Sequence, residues 1–171
     1  MMVKLNSRNY KRILEHYLDA LRKLNNSYSL LKEGPPPRFI EICEDAFKAN
    51  LFELFQVFED YMAYSLKTYG ISVSEISVQT CIVKLAELGR IDDVLAKNLT
   101  RFKILRHRYA HRYGEPTLND MLSFYEESKE SLSSQRSIIE KLVKEEEEKN
   151  QKKRESKRIE KINCFEEEQG F

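Results

Sequence analysis

Three features of the sequence predict an all-α fold. Apolar residues recur in steps of three and four over most of residues 1–143, the period of helices with one face turned inward. Five glycines and four prolines, three of them consecutive at Pro35–Pro37, leave few turns for a many-stranded fold. The 171 residues suffice for one domain with a sizeable core. The expected architecture is an antiparallel four-helix bundle with one added short helix over residues 1–143, followed by a charged extension over 144–171.

The first helix carries Tyr10, Ile13, Leu14, Tyr17, Leu18, Leu21, Leu24, Tyr28 and Leu31 on one face, and Gly34 with the prolines stops it. The spacing predicts a second helix from Arg38 to Tyr69, with Gly70 beyond its end. Its stripe is Phe39, Cys43, Ala46, Phe47, Leu54, Phe58, Tyr61 and Met62, and Leu51, Phe52, Phe55 and Val57 widen it nearly all round. Such a helix needs more than one neighbour, either as the centre of the bundle or as an interface with a second copy; the pattern alone does not separate these.

A polar connector, Ser72–Ser77, leads to a short helix capped by Ser77, with Cys81, Val83, Leu85 and Leu88 inward and Gly89 at its end. Asp92 caps the next helix, whose apolar residues are Val94, Leu95, Leu99, Phe102 and Leu105, and which Gly114 and Pro116 end. Thr117 caps the last, with Asp120 in its first turn and a stripe of Leu118, Met121, Leu122, Tyr125, Leu132, Ile138, Ile139 and Leu142. After Val143 the composition becomes nearly all charge, beginning KEEEEKNQKKR. Glu145 with Lys149, and Glu148 with Lys152, have ion-pair spacing, but there is almost no apolar face to dock. A solvated, frayed helix or disorder is expected there.

With 33% charged residues and a net charge of +1, no overall field selects a partner, and only local clusters speak to binding. Cys43, Cys81 and Cys164 are odd in number and far apart, which fits core thiols and one tail thiol, not a disulfide framework or a metal knuckle. No apolar run reaches ~18 residues and the N-terminus lacks a signal-peptide core, so the expectation is a cytoplasmic protein that does not enter the membrane. No cofactor is expected.

The stretch RHRYAHRYG, Arg106–Gly114, closes the fourth helix and carries three arginines, two histidines and two tyrosines with no acid. From Arg101 to Tyr113 the bases are Arg101, Lys103, Arg106, Arg108 and Arg112, joined by His107 and His111. Cations at the negative pole of a helix need no further function. Yet this cluster also has the groups for metal-independent RNA cleavage: arginines that hold phosphate in bidentate fashion and a histidine that moves protons near neutral pH. On a regular helix Arg106 and His111 diverge by ~140°, whereas Arg106 and Tyr113 nearly share a direction, as do His107 and His111. A shared site therefore needs either distortion near Gly114 or a second copy of the motif across a two-fold dimer. His107 and His111 have zinc-ligand spacing but no third ligand at a recognisable offset, so no metal site is expected.

Arg106, His111 and Tyr113 spell R-x4-H-x-Y. This resembles the signature of the HepT-like branch of the HEPN superfamily, late in a helix of an all-helical bundle. The likeness extends from about Tyr10 to Leu142 and includes KLAELGRI at Lys84–Ile91 and VLAKNLTRFKILRHRYAHRY at Val94–Tyr113. The resemblance implies a homodimeric ribonuclease toxin of the type VII toxin–antitoxin kind. Its partner would be an MntA-like minimal nucleotidyltransferase, the antitoxin, which transfers AMP from ATP to the motif tyrosine. By the same resemblance Arg106 and His111 are catalytic, Tyr113 is the modification site, and Arg101, Lys103, His107, Arg108 and Arg112 are candidates for holding RNA. The chain departs from the family in His107, where asparagine is common, in the Pro35–Pro37 turn and in the tail beyond Val143. Related bundles resemble non-catalytic substrate-binding partners of nucleotidyltransferases, which is the alternative.

Overall fold

The computed structural model describes residues 9–110 and 117–170, without the side chains of 102–110 and 166–169. It is an all-α helical bundle of five helices: α1 Tyr10–Lys32, α2 Ile40–Lys67, α3 Val78–Glu87, α4 Asp93–Ala110 and α5 Leu118–Gln169. Two single-turn 3-10 segments, Pro37–Phe39 and Val73–Glu75, lie in the connections, and no strand occurs among the described residues.

Four of the five helices, α1, α3, α4 and α5, begin where a short polar side chain satisfies first-turn N–H groups. Asn9 accepts from the Arg12 amide at 2.9 Å, Ser77 from Thr80 at 3.1 Å and Asp92 from Leu95 at 2.6 Å. Thr117 and Asp120 form a reciprocal pair: the Thr117 hydroxyl accepts from the Asp120 amide at 3.1 Å, and the Asp120 carboxylate accepts from the Thr117 amide at 3.2 Å. Gly89, at φ 65°, closes α3 in a Schellman turn, in which the Gly89 and Arg90 amides reach back to the carbonyls of Ala86 and Leu85.

α2 is the centre of the bundle. It packs chiefly against α1 and also touches α3 and α5. Leu51, Phe55 and Val57, which widen its apolar face, are buried within the chain itself, and Phe52 is partly buried against the same core. The central position therefore accounts for the two-sided pattern. The edge-on contact of Tyr17 with Phe58, at 5.6 Å between centroids, joins α1 to α2. Buried tyrosines pin the remaining helices. The Tyr17 hydroxyl donates to the Leu132 carbonyl on α5, Tyr61 to the Arg90 carbonyl at 2.6 Å, and Tyr125 to the Asn25 side chain. Burial raises all three phenols, that of Tyr125 to about 12, so these hydroxyls stay protonated donors at ordinary pH.

The structure corrects several expectations. Phe39 is 42% exposed and belongs to the 3-10 turn ahead of α2, which starts at Ile40 and stops at Lys67. Cys43 is half-buried and Ala46 exposed, because burial along α2 begins only at Phe47, where Tyr28 and Tyr125 meet it. Val83 and Val94 face outward, and the adjacent Ile82 and Leu95 take the inward positions. Cys81 is buried and Cys164 exposed.

The charged segment is helical and continuous with α5, a single helix of 52 residues, ~78 Å long. It docks further than expected: Glu145 and Glu146 are half-buried, and exposure runs unbroken from Glu147 to Phe165. Among the described residues, Glu145–Lys149 and Glu148–Lys152 do not close into ion pairs. No helix of the described residues is long and apolar enough to cross a membrane.

Candidate functional site

The basic stretch singled out above spans the C-terminal end of α4. That helix is anchored at its start by the Asp92 cap and by buried Leu95 and Leu99. Four of the six buried polar residues among the described ones belong to α4 and α5: Asn98 on the first, Ser128, Ser131 and Gln135 on the second. Gln135 donates to the Arg90 carbonyl at 2.9 Å, while Arg101 reaches Glu127 at 2.7 Å. These two contacts set α4 antiparallel to α5, so the C-terminal end of α4 lies toward Leu118.

The described helix runs through Arg106, His107 and Arg108 to Ala110. Arg106 occupies the register position that continues Leu95, Leu99 and Phe102, at steps of four, three and four. Arg101 and Arg108, seven apart, share a different face, turned by ~160° from Leu99. The arginines of the motif thus fall into two sets by register, a division that the sequence reading, which counted them as one patch, does not make. Arg101 is exposed and pairs with exposed Glu127, a contact worth at most about 1 kcal/mol that an arriving phosphate can displace. Lys103 lies within α4, its side chain outside the described residues. His111, Arg112 and Tyr113 also lie outside the described residues, so the structure does not bring the motif's three members together or hold them apart. Among the described residues no cluster of three or more histidine, cysteine or acidic side chains has the arrangement of a metal site.

At the other end of the bundle, where α1 begins and α2 and α3 end, a cavity of about 440 Å³ opens beside α5. Tyr10, Tyr64, Tyr69, Arg90, Lys149 and Lys153 are among its lining residues. The Glu146 carboxylate accepts from the Tyr10 amide at 3.0 Å and from the Tyr64 hydroxyl. It so sits at the positive end of α1, where its charge is stabilised. Burial, and then Glu146 itself, raise the Tyr64 phenol, which keeps its proton for this bond. Arg90 donates to the Tyr69 hydroxyl at 2.6 Å, and its Nε is buried without a partner among the described residues. The residues converge from four separate stretches of chain, which is why spacing does not reveal them.

Comparison with protein-family models, with curated proteins and with solved structures finds no match.

Proposed function

We propose that the chain is a metal-independent RNA endonuclease, the toxin of a two-gene pair of the HepT and MntA kind. The observation that carries this reading is the R-x4-H-x-Y sequence pattern of Arg106, His111 and Tyr113, which begins within α4 of an all-α bundle and lies in a stretch free of acids. In the proposed reaction His111 takes the proton from a ribose 2′-hydroxyl, whose oxygen attacks the adjacent phosphorus. Arg106 holds the phosphoryl oxygens as negative charge builds on them. The bond from phosphorus to the 5′-oxygen breaks, and a second acid, His111 of a second copy, protonates that oxygen. The products are a 2′,3′-cyclic phosphate and a 5′-hydroxyl.

Two copies are part of the proposal. Arg106 and His111 are five residues apart, ~140° around a regular helix, so a two-fold pairing of motif ends supplies the groups that one helix separates. Arg101, Lys103, His107, Arg108 and Arg112 would guide the RNA backbone. Transfer of AMP to Tyr113 by a nucleotidyltransferase partner would place a bulky anion among Arg106, Arg108 and Arg112, where it competes with the RNA phosphate.

The test is incubation of the purified chain with RNA in excess chelator, beside its His111→Ala variant. Cleavage by the first and not by the second is expected. A chain that binds a nucleotidyltransferase but leaves RNA intact would instead be the non-catalytic partner that His107, in place of the common asparagine, keeps in view.

A further inference from the structure

The face of α5 that is apolar inside the bundle turns basic where the bundle ends. Leu132, Gln135, Ile139 and Leu142 are buried along it, and Glu146 closes it against α1 and α2. Lys149, Lys153 and Lys157 continue the same line at steps of three and four, and Lys161 follows with a drift of ~40°. Between Lys149 and Lys161 there are seven cations and two carboxylates. All are exposed, and none of the seven cations makes an ion pair among the described residues. The stripe starts in the cavity described above, since Lys149 and Lys153 line it together with Arg90 and Tyr69. The Arg90 side chain is held at Tyr69 by its 2.6 Å bond, with its guanidinium carbon 5.7 Å from the ring centroid. Tyr69 is 43% exposed.

We propose that this end of the molecule binds a single-stranded polynucleotide, its phosphates following the lysine stripe of α5 and one unpaired base entering the tyrosine-lined cavity against Tyr69. A row of unpaired cations on a rigid helix matches a regular row of phosphates, and an aromatic ring beside an arginine is the usual receiver of a base. An acidic peptide would use the lysines but leave the ring and the cavity without purpose. A membrane surface fits less well. Ile159, Ile162 and Phe165, exposed further along α5, stand at steps of three, but Ile159 and Ile162 are turned by ~140–160° from Lys157, so the two isoleucines face away from the lysine stripe. The site lies roughly 40 Å along α5 from the level of Arg106, and its binding does not depend on whether the α4 motif cleaves RNA.

The experiment titrates the full chain with fluorescein-labelled oligothymidylate, which lacks the 2′-hydroxyl and reports binding without cleavage. Anisotropy is read over a range of salt concentrations. Wild-type protein is expected to bind. The triple variant Lys149→Gln, Lys153→Gln, Lys157→Gln should raise Kd at least tenfold and lower the slope of log K against log salt by about 2, since each phosphate contact on a single strand contributes about 0.7. Tyr69→Ala should weaken binding about tenfold with the slope unchanged. Circular dichroism confirms that the helices persist in each variant. Absence of binding by the wild type at low salt, or wild-type affinity in the triple variant, overturns the proposal. So does full displacement of the oligonucleotide by phosphatidylserine vesicles that bind the triple variant equally well.

Discussion

Glu146 joins three helices through one carboxylate: it stands on α5, accepts the first N–H of α1 and accepts the hydroxyl of Tyr64 on α2. Glu146→Ala leaves both donors without their partner, and hydrogen bonds to a charged group contribute about 1.5–3 kcal/mol. Urea unfolding should show a midpoint lowered by that energy divided by the slope, with the slope unchanged; a midpoint equal to wild type would mean that water replaces the carboxylate at no cost. At the proposed catalytic centre, His111→Ala should lower cleavage ~10²–10⁴-fold by removing the proton carrier. Arg106→Lys should be nearly as damaging, because lysine keeps the charge and loses the planar fork. Single-turnover rates on one RNA substrate compare the two. Full activity of Arg106→Lys would show that charge alone is needed.

The starts of α3, α4 and α5 were legible in the sequence because a cap is local chemistry: Ser77, Asp92 and Thr117 each bond an amide within three residues of themselves, whereas α2, which has no side-chain cap, starts at Ile40 and not at Arg38. Asp92→Ala should therefore cost about 0.5–2 kcal/mol, read as a fall in thermal midpoint. Gly89→Ala forces an ordinary residue to φ 65°, a cost of about 1–2 kcal/mol; an unchanged midpoint would mean that the turn after α3 rearranges freely. The rotation of each helix was less legible. Periodicity admits either of two adjacent apolar residues to the core, and only the neighbours decide between them. Ile82 took the place expected of Val83, and of the expected neighbours Val94 and Leu95 only Leu95 is buried, for that reason. Helicity of the tail was left open, since charge without an apolar face fits both a solvated helix and a disordered chain. The cavity beside Arg90 was not legible at all, because the residues around it come from α1, α2, the α3–α4 connection and α5. The α4 motif was legible as a pattern, yet its two arginine registers emerged only once the helix was known to run unbroken to Ala110.

At the scale of the whole molecule, burial of Leu51, Phe55 and Val57 inside one chain removes the apolar argument for a dimer. What remains is the five-residue spacing of Arg106 and His111, which on a regular helix would set them ~140° apart. Light scattering at micromolar concentration is expected to give twice the chain mass of 20.3 kDa, and a monomer would contradict the composite site. Mixing the chain with the nucleotidyltransferase proposed as its partner and ATP should add AMP at Tyr113, located by peptide mass spectrometry; mass added elsewhere would contradict that form of control. The ends of cut RNA report on the proposed chemistry itself. After reaction in excess chelator, attack by the 2′-hydroxyl predicts fragments that carry a 2′,3′-cyclic phosphate on one side and a 5′-hydroxyl on the other, with none formed by His111→Ala. Fragments with 5′-phosphate and 3′-hydroxyl ends, or cleavage that stops when chelator is added, would contradict it.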